Sequence, residues 1–339
     1  MAPSQVLPTR TLGKSGPEVP ALRFGLMGLS SFYGTPESDE ERFKILDRAY
    51  DLGETYIYQD SEDLVGKWFA RTGKRNEIFL ATKFAARVVG EGENMKRTVD
   101  STPQYCKQAC EKRLGVEQID LYYCHRVDQK TPIEKTAEAM VELKKEGKIK
   151  YLGLSEISSD TLRRACKVHH IDAVQIEYSP FSIEVEQPQV NLLNTCRELG
   201  VATVAYSPLG RGMLTRAFKS ANDFREGDFR KFLPRFSTKN FPRNLKLVDG
   251  LVSLAKKKGC TPSQLTLAWL LAQGDNIIPI PGTKKIKYLE ENLGSLDAHL
   301  TRGELQDIRQ LVESAEVHGT RYPEASMASL FADTPELEA

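Results

Sequence analysis

The sequence predicts an α/β chain folded as a (β/α)8 TIM barrel, on three observations. Eight short apolar runs alternate with amphipathic stretches. The ends of successive runs lie about one strand–helix unit apart. No Gly/Pro/Ser-rich linker or composition shift divides the 339 residues. That length suits one barrel of about 250 residues with insertions. The chain is therefore read as a single barrel over 1–339, with a core from about 12 to 311 and a C-terminal tail over 312–339.

The runs are FGLMGL (24–29), ETYIY (54–58), EIFLATKF (77–84), IDLYYCH (119–125), IKYLGLS (149–155), DAVQIEY (172–178), VATVAYS (201–207) and NIIPIPG (276–282). Most are rich in β-branched or aromatic residues and too short for helices, as expected of parallel strands buried on both faces. Between them, DEERFKILDRAYDLG sets Phe43, Leu46 and Tyr50 on one helical face and stops at Gly53. TPIEKTAEAMVELKKEG does the same with Ile133, Ala137, Met140 and Leu143, with Pro132 at the first helical position and Gly147 past the end. TPQYCKQACEKRLG and SDTLRRACKVHH share that pattern. Two stretches, 85–100 and 208–240, are too long for plain connections; both follow strands and so belong to the C-terminal face, where barrels build their sites. A doubly wound sheet is the rival fold, but it calls for GxGxxG after the first strand, and GLMGLS lacks that spacing.

Composition excludes several functions. With 47 Lys+Arg against 46 Asp+Glu, the formal net charge of +1 gives no general argument for nucleic acid or a membrane surface as partner. No stretch approaches the ~20 apolar residues of a membrane span, and the first residues lack a signal-peptide core. Six cysteines are scattered without a CxxC; Cys106 and Cys110 share a helical face but read as small buried hydrophobes, so no metal site is expected. Unpaired thiols fit a reducing, cytoplasmic setting.

If the barrel forms, Tyr58, Lys83 and His125 stand at the ends of strands two, three and four. The set suits acid–base chemistry on a carbonyl: a lysine ammonium lowers the pKa of a neighbouring phenol, and an imidazole N–H can face a developing alkoxide. Singly, Tyr58 reads as a core aromatic and His125 equally as a core histidine, whereas a lysine ending an apolar strand is costly to bury without a purpose. SPLGRG (207–212) after strand seven and PIPGTKK (279–285) opening a helix after strand eight read together as an anion cradle; a solvated helix start is the plainer account of Lys284 and Lys285. Phe32, Tyr33, Phe224, Phe229, Phe232 and Phe236 are candidates to line an aromatic-tolerant pocket, or to pack the loops.

The segments FGLMGLS, DSEDLVGKW, IFLATKF, IDLYYCHRVD, KYLGLSE, VQIEYSP, AYSPLGRG and IPGTKKIKYLEENL together resemble the aldo-keto reductases, in particular a pyridoxal-reductase-like branch of fungi and bacteria. The resemblance implies NADPH-dependent reduction of a small aldehyde or ketone on a (β/α)8 barrel. It implies Tyr58 as proton donor, Lys83 as the group lowering its pKa and His125 as the group orienting the carbonyl. Ser155, Glu156 and Gln175 fall where the family holds the nicotinamide carboxamide, with Glu156 where many relatives have Asn, and Tyr206 where a tyrosine stacks on the ring. Ser207, Pro208, Leu209, Gly210 and Gly212 match the pyrophosphate loop, Thr283 and Lys284 the adenosine 2′-phosphate site, and Glu291 and Asn292 the adenine contacts. A cationic 2′-phosphate site favours NADPH over NADH.

One segment departs from the pattern. The family's second strand carries a catalytic Asp five residues before the catalytic Tyr; five before Tyr58 stands Gly53, and about five residues are missing between Tyr56 and Ile57. Aligned from DSEDLVGKW, Tyr58 is the catalytic tyrosine; counted from the upstream helix, it stands near the place of the Asp. The resemblance thus implies a shortened second strand region, an intact cofactor half and an impaired acid–base half. The alternative is an NADPH-binding barrel with little turnover that acts as a sensing or partner-binding module.

Overall fold

The apolar runs pair in chain order as eight parallel strands: β1 (Phe24–Gly25), β2 (Tyr56–Tyr58), β3 (Phe79–Phe84), β4 (Ile119–Cys124), β5 (Ile149–Ser155), β6 (Ala173–Glu177), β7 (Ala202–Tyr206) and β8 (Ile277–Pro279). The structure is a computed structural model that describes residues 6–30, 32–58, 62–89, 96–112 and 116–338. Asp60 and Ser61 of DSEDLVGKW, and residues 90–95 of the first long stretch, lie outside it. The sheet closes between its first and last strands. The Gly25 amide donates to the Pro281 carbonyl at 3.1 Å and the Arg23 amide to that of Pro279 at 3.0 Å. Gly25 and Gly282 form a parallel bridge, and the closure needs both glycines. A Cβ on Gly282 would lie 2.6 Å from the Gly25 carbonyl oxygen, and one on Gly25 would lie 2.7 Å from that of Ile280.

Alternate strand residues fill the barrel interior: Ala81, Leu121, Tyr123, Ala173, Ala202, Val204, Ile278 and Ile280. The Tyr123 ring fits there because β5 carries Gly153 beside it; a Cβ would approach that ring to 2.3 Å. Leu12 and Val19 join this interior from an antiparallel hairpin, Thr9–Thr11 with Glu18–Pro20. Arg10 ties the hairpin to the carbonyls of Leu271 (2.6 Å) and Gly274 (2.8 Å), and Lys14 donates its amide to the Gly200 carbonyl at 2.7 Å. The hairpin thus plugs the N-terminal end of the barrel and leaves the C-terminal end for a site. The opposite strand faces pack against the helices in a separate apolar layer that includes Phe84, Ile119, Leu152, Leu162, Ile176 and Trp269.

The expected helices form at Asp39–Asp51, Pro103–Lys112, Ile133–Lys145, Ser159–Val168 and Ile286–Leu293. Gly53 and Gly147 take positive φ (87° and 75°) just past two of them. Two local expectations change. FGLMGL is a strand only over its first two residues, and Met27–Ser30 coil into a helical turn that buries Leu29. Pro132 caps its helix with extended ψ instead of standing as its first residue. β1 spans two residues, β2 and β8 three each, and β3 six. The stretch after β3 forms a hairpin of Ala86–Val89 with Lys96–Val99. The stretch after β7 winds through the short turns Gly210–Thr215, Ala221–Asp223, Phe229–Phe232 and Pro234–Phe236. Among the described residues no helix is long and apolar enough to cross a membrane.

Candidate active site

Parallel register places the strand ends at one level. Lys83 is paired with Tyr123, and His125 follows β4 with its amide donating to the Phe84 carbonyl at 2.9 Å. Lys83 is buried, at 6% exposure, and His125 is half-buried. Backbone pairing of β2 ends with Tyr58 opposite Ala81, two residues before Lys83. The side chain of Tyr58 lies outside the described residues.

Ser155 ends β5 in register with Gln175 of β6, and both are buried. Glu156 then turns into the left-handed region (φ 51°) and donates its amide to the Gln175 carbonyl at 3.2 Å. Its carboxylate is fully buried. Oε1 accepts from the Tyr206 hydroxyl at 2.6 Å and from Arg321 Nη2, whereas Oε2 has no hydrogen-bond partner among the described residues. The same holds for Gln175 Nε2. Glu177, ending β6 in register with Tyr206, accepts from Arg321 Nε at 3.0 Å and Arg211 Nη2 at 3.1 Å. Burial alone would push the Glu177 carboxyl up, but Arg211, Arg321 and Arg235 outweigh it and bring it down to about 2. Burial, with Glu156 adjacent, pushes the Tyr206 phenol well above its usual range, so it remains a hydrogen-bond donor.

Past β7 the backbone folds into a concave turn. Ser207, Gly210, Arg211 and Gly212 all have positive φ, and Leu209 offers its carbonyl to the amides of Gly212 (3.0 Å) and Leu214 (3.2 Å). Pro208 is buried beneath it. Asp228 holds Arg230 through two hydrogen bonds of 2.9 and 2.6 Å, and Arg230 donates to the Arg211 carbonyl at 2.9 Å, fixing the rim. Past β8, Thr283 Oγ1 accepts from the Lys285 amide at 3.1 Å and starts the helix that bears Glu291 and the buried Asn292. Lys284 reaches across to the Tyr33 carbonyl at 2.8 Å; burial pulls its ammonium below the usual lysine range. Beside this helix start is a cavity of about 480 Å³ lined by Arg42, Lys44, Lys284 and Lys285, by the carboxylates Glu37 and Glu41, and by Leu29, Ile45 and Ile286. A larger one, about 750 Å³, lies at the opposite end under the hairpin, away from the converging strand ends.

These features fit a dinucleotide: an unpartnered donor and acceptor for an amide, a turn rich in positive φ for phosphate, and two lysines at a helix start. Among the described residues no group of three His, Cys, Asp or Glu could hold a metal ion. The aromatic candidates divide. Phe224 and Phe236 are buried edge-to-face on one another, Phe32 meets Phe229 with centroids 5.6 Å apart, and Phe232 is 68% exposed. Arg321 and Tyr322, absent from the expected set, enter from the tail, and Tyr322 Oη lies 3.3 Å from Tyr206 Oη.

The model of the Aldo/keto reductase family matches residues 21–313, which takes in every barrel strand. The chain belongs to the aldo/keto reductase family. As such it is an oxidoreductase. It is 53% identical to aldo-keto reductase str7 of Strobilurus tenacellus over 98% of this chain and 99% of that one. It is 47% identical to aldo-keto reductase yakc [NADP(+)] of Schizosaccharomyces pombe, again over 98% and 99%. Among solved aldo/keto reductases, the glycerol dehydrogenase AKR11B4 from Gluconobacter oxydans superposes with a TM-score of 0.81 at 26% identity, covering 92% of this chain and 97% of that one. The thermostable aldo-keto reductase Tm1743, solved with the inhibitor epalrestat, gives 0.70 at 27% identity over 90% and 100%.

Proposed function

We propose that this aldo/keto reductase reduces a small aldehyde or ketone to an alcohol with NADPH, in a cytoplasmic setting, and that its acid–base half is weakened. The observation that carries the cofactor assignment is that two residues joined by a backbone hydrogen bond, Glu156 and Gln175, each leave one buried side-chain atom unsatisfied, Oε2 and Nε2: one accepts, one donates, as a carboxamide requires. Ser155 and Tyr206 flank them. Ser207, Pro208, Leu209, Gly210 and Gly212 would hold the pyrophosphate, Thr283 and Lys284 the 2′-phosphate, and Glu291 and Asn292 the adenine. The name of the Schizosaccharomyces relative, which carries NADP(+), supports the choice. NADPH, when bound, supplies a hydride from nicotinamide C4.

This chain's own residues would do the rest. His125 orients the carbonyl oxygen, Tyr58 gives it a proton, and the Lys83 ammonium makes the phenol acidic enough to do so. The family pattern sets a catalytic Asp five residues before the tyrosine, where this chain has Gly53. A misplaced general acid forfeits about 10²–10⁴-fold of rate. The second reading is an NADPH-binding barrel with little turnover that acts as a sensing or partner-binding module. Under either reading the whole chain acts as one barrel unit, and its cysteines are free thiols.

The test is loss of NADPH absorbance with a reactive aromatic aldehyde, run beside Tyr58→Phe. Slow turnover, lower still in the variant, is expected. Equal rates would remove Tyr58 from the mechanism, and no turnover with retained NADPH binding would select the second reading.

A further inference from the structure

Residues 315–334 run back across the mouth of the barrel and are fastened at both ends. At one end Asn244 exchanges hydrogen bonds with the His318 backbone (2.8 and 2.9 Å), and Arg235 Nε donates to the Gly319 carbonyl at 3.2 Å. At the other, Ala332 donates its amide to the Glu156 carbonyl at 2.9 Å and accepts from the Ser158 amide at 3.0 Å, while Asp333 accepts from the Ser158 hydroxyl. The Ile133 amide donates to Thr334 Oγ1 at 3.2 Å. Between these anchors Arg321 is driven inward, to 3% exposure. It bonds Glu156 Oε1 through Nη2, the Tyr206 hydroxyl through Nη2 at 3.0 Å, and Glu177 Oε2 through Nε at 3.0 Å.

This arrangement does more than close a hole. A fully buried carboxylate survives only if charge and hydrogen bonds compensate it. Arg321 and Tyr206 satisfy one oxygen of Glu156 and leave the other without a partner among the described residues. Asn at this position can donate or accept, but an ionised Glu only accepts. It would therefore admit only one orientation of a carboxamide, N–H₂ toward Glu156 Oε2 and oxygen toward Gln175 Nε2. We infer that Arg321 is a positioning residue of the cofactor site, which holds Glu156 as a fixed acceptor for the nicotinamide N–H₂ and makes the C-terminal segment an integral part of that site. The inference rests on the NADPH reading above.

Fluorescence titration with NADPH and with its 3-acetylpyridine analogue, which keeps the carbonyl but lacks the N–H₂ group, tests it on the full chain, with melting curves to show that each variant is folded. The parent should prefer NADPH by about tenfold or more. Arg321→Met should weaken NADPH by about tenfold to a hundredfold and lose most of that preference. Adding Glu156→Gln should restore much of the affinity, because a neutral amide needs no cation. Equal weakening for both dinucleotides, or no gain in the double variant, would overturn the inference and leave Arg321 a packing residue. Should Arg321→Met fail to fold, Glu156→Gln is compared with the double variant. The two should bind NADPH within about threefold, and a gap of tenfold or more overturns the inference. A parent that binds neither dinucleotide defeats the NADPH reading and this inference together; a parent that binds while its Arg321 variants bind equally well defeats this inference alone.

Discussion

Glu54 and Glu177 are both buried carboxyls, yet their surroundings drive them in opposite directions. Glu177 has three guanidiniums nearby, whereas Glu54, at the foot of β2, is pushed up to about 8 by burial that the charge of Arg23 and one backbone hydrogen bond only partly offset. A raised folded pKa means that the folded chain holds a proton which the unfolded chain, near 4.5, has already released. The associated stability is complete below about pH 4.5 and is lost as pH rises through about 8. Glu54→Gln should therefore melt like the parent near pH 4 and gain on the order of a few kcal/mol near pH 9. Melting temperatures of the two proteins that stay parallel across that range would contradict the assignment. At this scale the sequence was only partly legible. Lys83 stood out because a lysine ending an apolar strand is anomalous, whereas Arg321 did not, since its partners Glu177 and Glu156 lie 144 and 165 residues away in the chain.

Strands and helices were the more readable level, because a parallel strand buried on both faces announces itself as an apolar run whatever its partners. The exceptions have local causes. FGLMGL is apolar throughout, so its change from strand to helical turn at Met27 leaves no trace in hydrophobicity. Phe224 and Phe236 look like pocket residues in a loop but are drawn into the core by Phe181 and Phe241. Closure between β1 and β8 turns on two glycines, so Gly282→Ala should destabilise the barrel by about 1–3 kcal/mol, read as a lowered denaturation midpoint with an unchanged slope; an unshifted midpoint would mean the closure tolerates a Cβ. β2 offers the sharper test. Inserting Trp-Asp-Thr-Ala-Asp after Tyr56 should raise kcat at similar NADPH affinity if the missing carboxylate limits the rate. An unchanged kcat would mean that the site works without it.

Over the whole molecule, the near-neutral charge of +1 gives no general argument for a strongly charged macromolecular partner. The hairpin plug stops the N-terminal end, and the other end gathers the ends of β3 to β8, with the returning tail bonded to Glu156 and Glu177 through Arg321. On the proposed reading, this division lets the acid–base half be weakened while the cofactor half is left whole. The architecture was legible from the spacing of strand ends, and the tail was not, because it has no periodicity and gains its meaning only from strands far away in sequence. The most direct measurement is a fluorescence titration with NADPH beside NADH. Saturable binding of NADPH, tighter than that of NADH by about tenfold or more because Lys284 and the helix start meet the extra phosphate, is the result expected. No saturable change with either, or equal affinities, would contradict the account.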